Sequence, residues 1–151
     1  MIRVEVQNAS DCSEAPGPEE FRTWARAAIM SAAAEVVVRI VDVEEGTELN
    51  GRYRGKSGPT NVLSFPFQAP AGIAADHLGD IVICAPVVLD EALAQRKTLP
   101  AHFAHLTIHG VLHLQWFDHS EERQAEIMES KEIAILAKLG FSNPYDEVER
   151  P

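Results

Sequence analysis

The sequence predicts an α+β sandwich, one mixed sheet of about four strands packed with about five helices. Three observations predict it. Apolar residues alternate with polar ones, or run as β-branched blocks, in the first half of the chain. They recur at helical spacing in the second half, and strands followed by helices is the pattern of an α+β layer structure. At 151 residues and 46% hydrophobic content, the chain has room for one domain with a real core, expected over residues 1–151, whereas two would be cramped.

The elements follow in order. Ile2, Val4 and Val6 alternate with polar residues, which gives an opening strand with one buried face. Residues 8–18 carry Asn, Ser, Asp, Pro and Gly, a loop composition. Pro18-Glu19-Glu20 starts a helix, since proline suits the first turn and acids suit the positive end of the dipole. Phe21, Trp24, Ala25, Ala28 and Ile29 form its apolar stripe. Val36–Val43 is β-branched and reads as the second strand. Glu44–Leu49 is expected as a short helix before a polar stretch, Asn50–Pro59, read as a loop. Val62–Phe67 is the third strand, where Pro66 points to an edge or a bulge. Gly79–Cys84 is the fourth. Three helices follow, at Pro86–Gln95, His102–Trp116 and Glu121–Leu139, the last closed by Gly140. The polar tail Asn143–Pro151 is expected to fray.

Charge narrows the function classes. Lys and Arg total 13 against 23 Asp and Glu, a net charge of −10. Such acidity argues against a non-specific nucleic-acid coat, while leaving room for a local basic groove. Cys12 and Cys84 match neither a CxxC motif nor a disulfide framework, so a reduced, cytoplasmic setting is expected. The N-terminus lacks the basic-then-apolar pattern of a secretory signal. Apolar stretches break well short of a membrane span, so no membrane partner is expected.

The most informative segment is His109-Gly110-Val111-Leu112-His113. Imidazoles four residues apart share a helix face and can reach one ion. His119 lies six residues further on, and a continuous helix would turn it away. The helix must therefore end near Trp116–Asp118 and the chain fold back, with Asp118 capping the next helix and Glu121 at its third position. The predicted metal site thus sits on the C-terminal helices. Three neutral imidazoles suit Zn²⁺ and leave a fourth position open for water. Any single histidine here reads more simply as an ordinary buried or surface side chain, and it is the triple spacing that carries the metal reading. His105, one turn before His109, either adds a ligand or packs below the site and orients a ligand ring. A structural zinc would want a fourth protein ligand, with Cys84 the nearest cysteine in sequence.

HExxH metalloproteases place a general-base glutamate directly after the first histidine. Here that residue is Gly110, and Trp116 stands where metzincins carry a glycine. The ligand spacing is therefore protease-like without the peptide-hydrolysing base. Met128 reads as core packing rather than as a turn beneath the metal, and Asp80 as a structural strand residue.

A second constellation lies at residues 50–68. Arg52, Arg54 and Lys56 concentrate positive charge in an acidic protein. Guanidinium groups grip phosphate with two hydrogen bonds, and Tyr53 is able to stack on a base. By charge alone the segment is a solvated loop. Beside a hydrolytic metal centre acting on RNA, it would supply the cation that developing phosphoryl charge needs.

Three blocks, HGVLHLQWFDH (109–119), YRGKSGPTNVLSFPF (53–67) and LGDIVIC (78–84), closely resemble those of the YbeY family of bacterial rRNA maturation factors. The family patterns are HGxLHLxGYDH and YRGKDxPTNVLSFPF for the first two. The similarity runs from about Leu49 to the LGFSNPY segment at 139–145 and is weaker before that. The resemblance implies a single-domain α/β fold with zinc held by His109, His113 and His119. It implies a single-strand-specific endoribonuclease acting in 16S rRNA 3′-end maturation and ribosome quality control. The partners implied are rRNA, the small ribosomal subunit and maturation factors, and the family's functionally important arginine falls on Arg54. The chain departs from the pattern at Trp116-Phe117, where Gly-Tyr is common, and at Ser57, where Asp is common. Two other readings stay open: an assembly factor with a mainly structural zinc, and a metal-dependent hydrolase of another substrate.

Overall fold

The computed structural model of the chain describes residues 1–67 and 76–146. Among these residues four strands, β1 (Ile2–Asn8), β2 (Ala34–Val41), β3 (Val62–Pro66) and β4 (His77–Cys84), form one sheet in the order β1-β2-β4-β3. β1 and β2 pair in parallel, as do β2 and β4, while β3 runs antiparallel to β4. Among the described residues five helices accompany the sheet: α1 (Pro18–Ala28), α2 (Val43–Arg54), α3 (Ala85–Gln95), α4 (Leu99–Leu114) and α5 (Glu122–Lys138). The predicted α+β class, the mixed sheet and the number of elements are all found.

Alternation along the strands sets two apolar layers. Val36, Val38 and Ile40 of β2 point to one face, in register with Val4 and Val6 of β1 and Ile81 and Ile83 of β4. These join Phe21 and Trp24 of α1, Phe103 and Ile108 of α4, and Met128 and Leu136 of α5 in the main core. The opposite face carries a smaller cluster, Val41, Leu63, Val82 and Cys84, against which Leu49 of α2 packs. α4 is buried almost all round, which makes it the central post of the main layer. Thr98 caps it, its hydroxyl oxygen accepting from the Ala101 amide at 3.3 Å, and Pro100 sits in its first turn.

Several boundaries differ from expectation. α2 does not stop at Leu49 but runs to Arg54. Asn50-Gly51 has a loop composition, yet Asn50 is buried and its amide donates to the Gly58 carbonyl at 2.8 Å. That bond ties the following turn to the helix, which ends only at Gly55 with φ +65°. Arg52, Tyr53 and Arg54 therefore occupy a last helical turn rather than a loop. Pro66 ends the edge strand, as a residue without an amide hydrogen should. Gly79 is required where β3 crosses β4, because a Cβ there would lie 2.3 Å from the Phe65 carbonyl oxygen. α4 starts earlier than predicted and ends at Leu114. Residues 143–146 form a turn, and the rest of the tail expected to fray, 147–151, lies outside the described residues. No helix among the described residues is long and apolar enough to cross a membrane.

Candidate metal centre and its cleft

His109 and His113 stand one turn apart on α4, with ring centroids 4.8 Å apart. Beyond Leu114 the chain reverses. The Gln115 and Phe117 amides both donate to the Leu112 carbonyl, and Trp116 between them takes φ +73°. The Gln115 side chain pins this reversal to the end of α1, donating to the Ala28 carbonyl at 2.7 Å and accepting from the Met30 amide at 2.9 Å. His119 is thereby carried back to ring distances of 5.4 Å from His109 and 4.9 Å from His113. One ligand atom from each of the three histidines lies within 4.8 Å of the others.

His119 sits in the turn between α4 and α5, as the expected reversal of the chain requires. One expectation is corrected here. Asp118 does not cap α5, whose N-cap residue is Glu121. Its carboxylate instead accepts from the His119 amide at 2.7 Å and the Ser120 hydroxyl at 2.9 Å, shaping the turn that presents His119. These bonds hold Asp118 below the usual carboxylate range.

The donor set suits an ion. Burial, then the neighbouring His109 and His119, push the His113 imidazole below its ordinary value, which favours the neutral ring a metal requires. Beneath the cluster lies Glu132 of α5, fully buried. One of its oxygens is 2.5 Å from His105 Nε2 and accepts from the Tyr145 hydroxyl at 2.6 Å, and the other is 3.1 Å from His109 Nδ1. Burial alone would push this carboxyl up, but hydrogen bonds from His105, His109 and Tyr145 outweigh it and hold the group at about 2. An ionised carboxylate only accepts, so His109 Nδ1 carries the hydrogen and Nε2 keeps the lone pair.

Sequence reasoning missed Glu132 and Tyr145. The available signal was a glutamate between Met128 and Leu136, in the buried stripe of α5, where an unpaired charge would be costly. His105 faces this carboxylate, so a second group of close ligand atoms exists, His105, His109 and Glu132. That group is internal and already hydrogen-bonded, whereas the three-histidine group opens on a cleft. Cys84 is buried in the smaller core cluster and belongs to neither group, and burial pushes its thiol up. Gly110 faces the sheet, where a Cβ would lie 3.0 Å from Ile81 and 3.2 Å from Val62, so a protease-like glutamate there would crowd the sheet.

The cleft holds about 780 Å³ and runs along the open edge of β3. His109, His113 and His119 line one end, and Tyr53 and Arg54 from the last turn of α2 also line it. Arg52 and Lys56 are exposed but do not line it. Among the described residues Arg54 has no acidic partner within ion-pair distance. Asp80 lies outside this cleft, its carboxylate 3.4 Å from His77. Met128 is buried in the main core and borders a hollow beneath His109 and His119.

Fold and site together define an α+β protein with a candidate metal centre opening on a cleft that Arg54 also lines. The family model for Endoribonuclease YbeY matches residues 6–140. The Endoribonuclease YbeY of Methylococcus capsulatus is 58% identical over 148 residues, 98% of each chain. This chain belongs to the YbeY family, and the likeness covers the N-terminal part where the motif blocks were weak. The solution structure of TM1509 from Thermotoga maritima shares the fold, with a TM-score of 0.53 and 24% identity over 97% of this chain and 99% of that one.

Proposed function

We propose that the chain is a single-domain, zinc-dependent endoribonuclease specific for single strands. Its place is 16S rRNA 3′-end maturation and ribosome quality control, in the cytoplasm, with the small ribosomal subunit and maturation factors as partners. The observation that carries the reading is the shared cleft: three imidazoles that fit one zinc ion face the same space as Arg54. Family membership and the printed activity of the 58% identical relative support the RNA substrate.

His109, His113 and His119 would hold the ion, which supplies Lewis-acid polarisation and an acidified water when bound. Arg54 would grip a non-bridging phosphate oxygen and stabilise the charge that builds at phosphorus. Glu132 fixes the tautomer and direction of His109. Asp118, though it lines the cleft, is a poor proton acceptor because its oxygens already serve His119 and Ser120. A mainly structural zinc would call for a fourth protein ligand, and Cys84 and His105 both have other surroundings.

Purified protein incubated with precursor 16S rRNA, with and without a chelator, tests the reading. Arg54→Glu is expected to lower cleavage by about 10²–10³-fold, the scale of losing one charge-stabilising donor, at wild-type zinc content. Loss of zinc with the arginine would make Arg54 structural. Cleavage that survives complete metal removal would sink the metal-dependent mechanism.

A further inference from the structure

The second face of the sheet is only partly covered. α2 packs over the Val82 and Leu63 side, and beyond it a separate hollow of about 450 Å³ opens, bordered by Val37, Val82, Leu49 and Phe65. That volume lies within the range of roughly 300–1,000 Å³ typical of small-ligand sites. It is distinct from the metal cleft, yet Tyr53 and Phe65 line both. The two spaces therefore meet at the last turn of α2, and Tyr53 stands on their common rim. Tyr53 is 58% exposed, and its ring rests on Phe65 at a centroid distance of 5.1 Å and an interplanar angle of 70°. An edge-on prop of this kind holds an aromatic ring in place while leaving its surface accessible.

Charge decides what can enter. Among the described residues Arg39 is the one cation lining the hollow, and Glu45 grips its guanidinium at 2.6 and 2.9 Å. The remaining charged group there is the Asp80 carboxylate. A phosphate would be repelled, whereas a flat, uncharged base meets an apolar floor and an aromatic rim. The guanidinium of Arg54, next in sequence to Tyr53, lies on the cleft side.

We propose that Tyr53, propped by Phe65, is a base-stacking subsite for RNA. The phosphate stays at Arg54 in the metal cleft, and the adjoining base turns over Tyr53 towards the hollow on the open sheet face. This rests on the RNA reading above. It also gives that reading a source of strand selectivity, because a paired and stacked base cannot turn over the rim without first leaving its helix.

Zinc-loaded protein and short single-stranded oligoribonucleotides test the proposal, through equilibrium binding and through KM and kcat. Tyr53→Leu should weaken binding about 5- to 150-fold, the effect of losing one stacked base, and raise KM more than it lowers kcat. Tyr53→Phe should behave as wild type, since the ring face rather than the hydroxyl is used. An oligonucleotide series with one abasic position at a time should show one position where wild type loses affinity and Tyr53→Leu loses no more. Metal content and thermal midpoint should not move, because the residue is on the surface. Losses that simply add at every abasic position, or wild-type binding by Tyr53→Leu, overturn the subsite and leave metal-dependent cleavage standing. Wild-type protein that neither binds nor cleaves RNA overturns both.

Discussion

Glu132 is the residue on which the geometry of the candidate centre turns. A carboxylate buried without partners would shed its charge or destabilise the fold. Here His105, His109 and Tyr145 converge on it, and one of the three is a candidate ligand. Glu132→Gln keeps the shape but brings an amide that donates on one side, so it cannot accept from all three. The expected result is zinc binding weakened about 10–100-fold, the usual cost of losing a partner behind a ligand imidazole. Competition with a chromophoric chelator measures it, and an unchanged affinity would leave Glu132 as a core group only. The histidine cluster was legible from sequence because a four-residue spacing on a helix is fixed geometry. Glu132 was not, because its partners depend on how α5 crosses α4. Gly110 was legible as a missing base, and the structure adds that Ile81 and Val62 occupy the space a side chain would need.

At the scale of elements, the α4–α5 turn does what a longer helix could not: it returns His119 to the helix it has just left. Its tightest point is Trp116, at φ +73° and 73% exposed. A left-handed backbone costs an L-residue about 1–2 kcal/mol, and glycine's greater unfolded freedom offsets about 0.5–1 of that. Little burial is lost with an exposed indole. Trp116→Gly should therefore stabilise the protein by about 0.5–1 kcal/mol, raising the thermal midpoint by a few degrees. Calorimetry or urea unfolding checks the sign, and a clear loss of stability would show that the indole packs in solution. Reversal near Trp116–Asp118 was readable from the spacing, but the means was not. Asp118 looked like a cap and is instead a brace within the turn, because α5 begins four residues beyond it, at Glu122. α2 was read short for a related reason. Asn50 has a loop residue's composition, and only the fold shows its amide turned inward to Gly58.

For the whole molecule, the candidate centre joins parts that the core alone holds less directly. α4 is anchored in the sheet layer, the turn is pinned to α1 through Gln115, and α5 reaches the site through Glu132. An ion bound by His109, His113 and His119 would bridge α4 and the turn in the folded state only, so binding must raise stability by mass action. Free zinc at 100 times its dissociation constant adds about 2.7 kcal/mol. At about 2–4 °C per kcal/mol for a chain of this size, the midpoint should rise by about 5–11 °C, and a chelator should reverse it. His119→Ala decides which ligand group is responsible. His119 is exposed, so its loss should scarcely change the metal-free protein, yet the zinc-induced shift should vanish. A full shift retained in His119→Ala would place the ion with His105, His109 and Glu132 instead, inside the protein and away from the cleft that Arg54 lines. A stabilising ion there would have no route to a phosphate, and the reading of a catalytic centre would fail even though the protein still bound zinc.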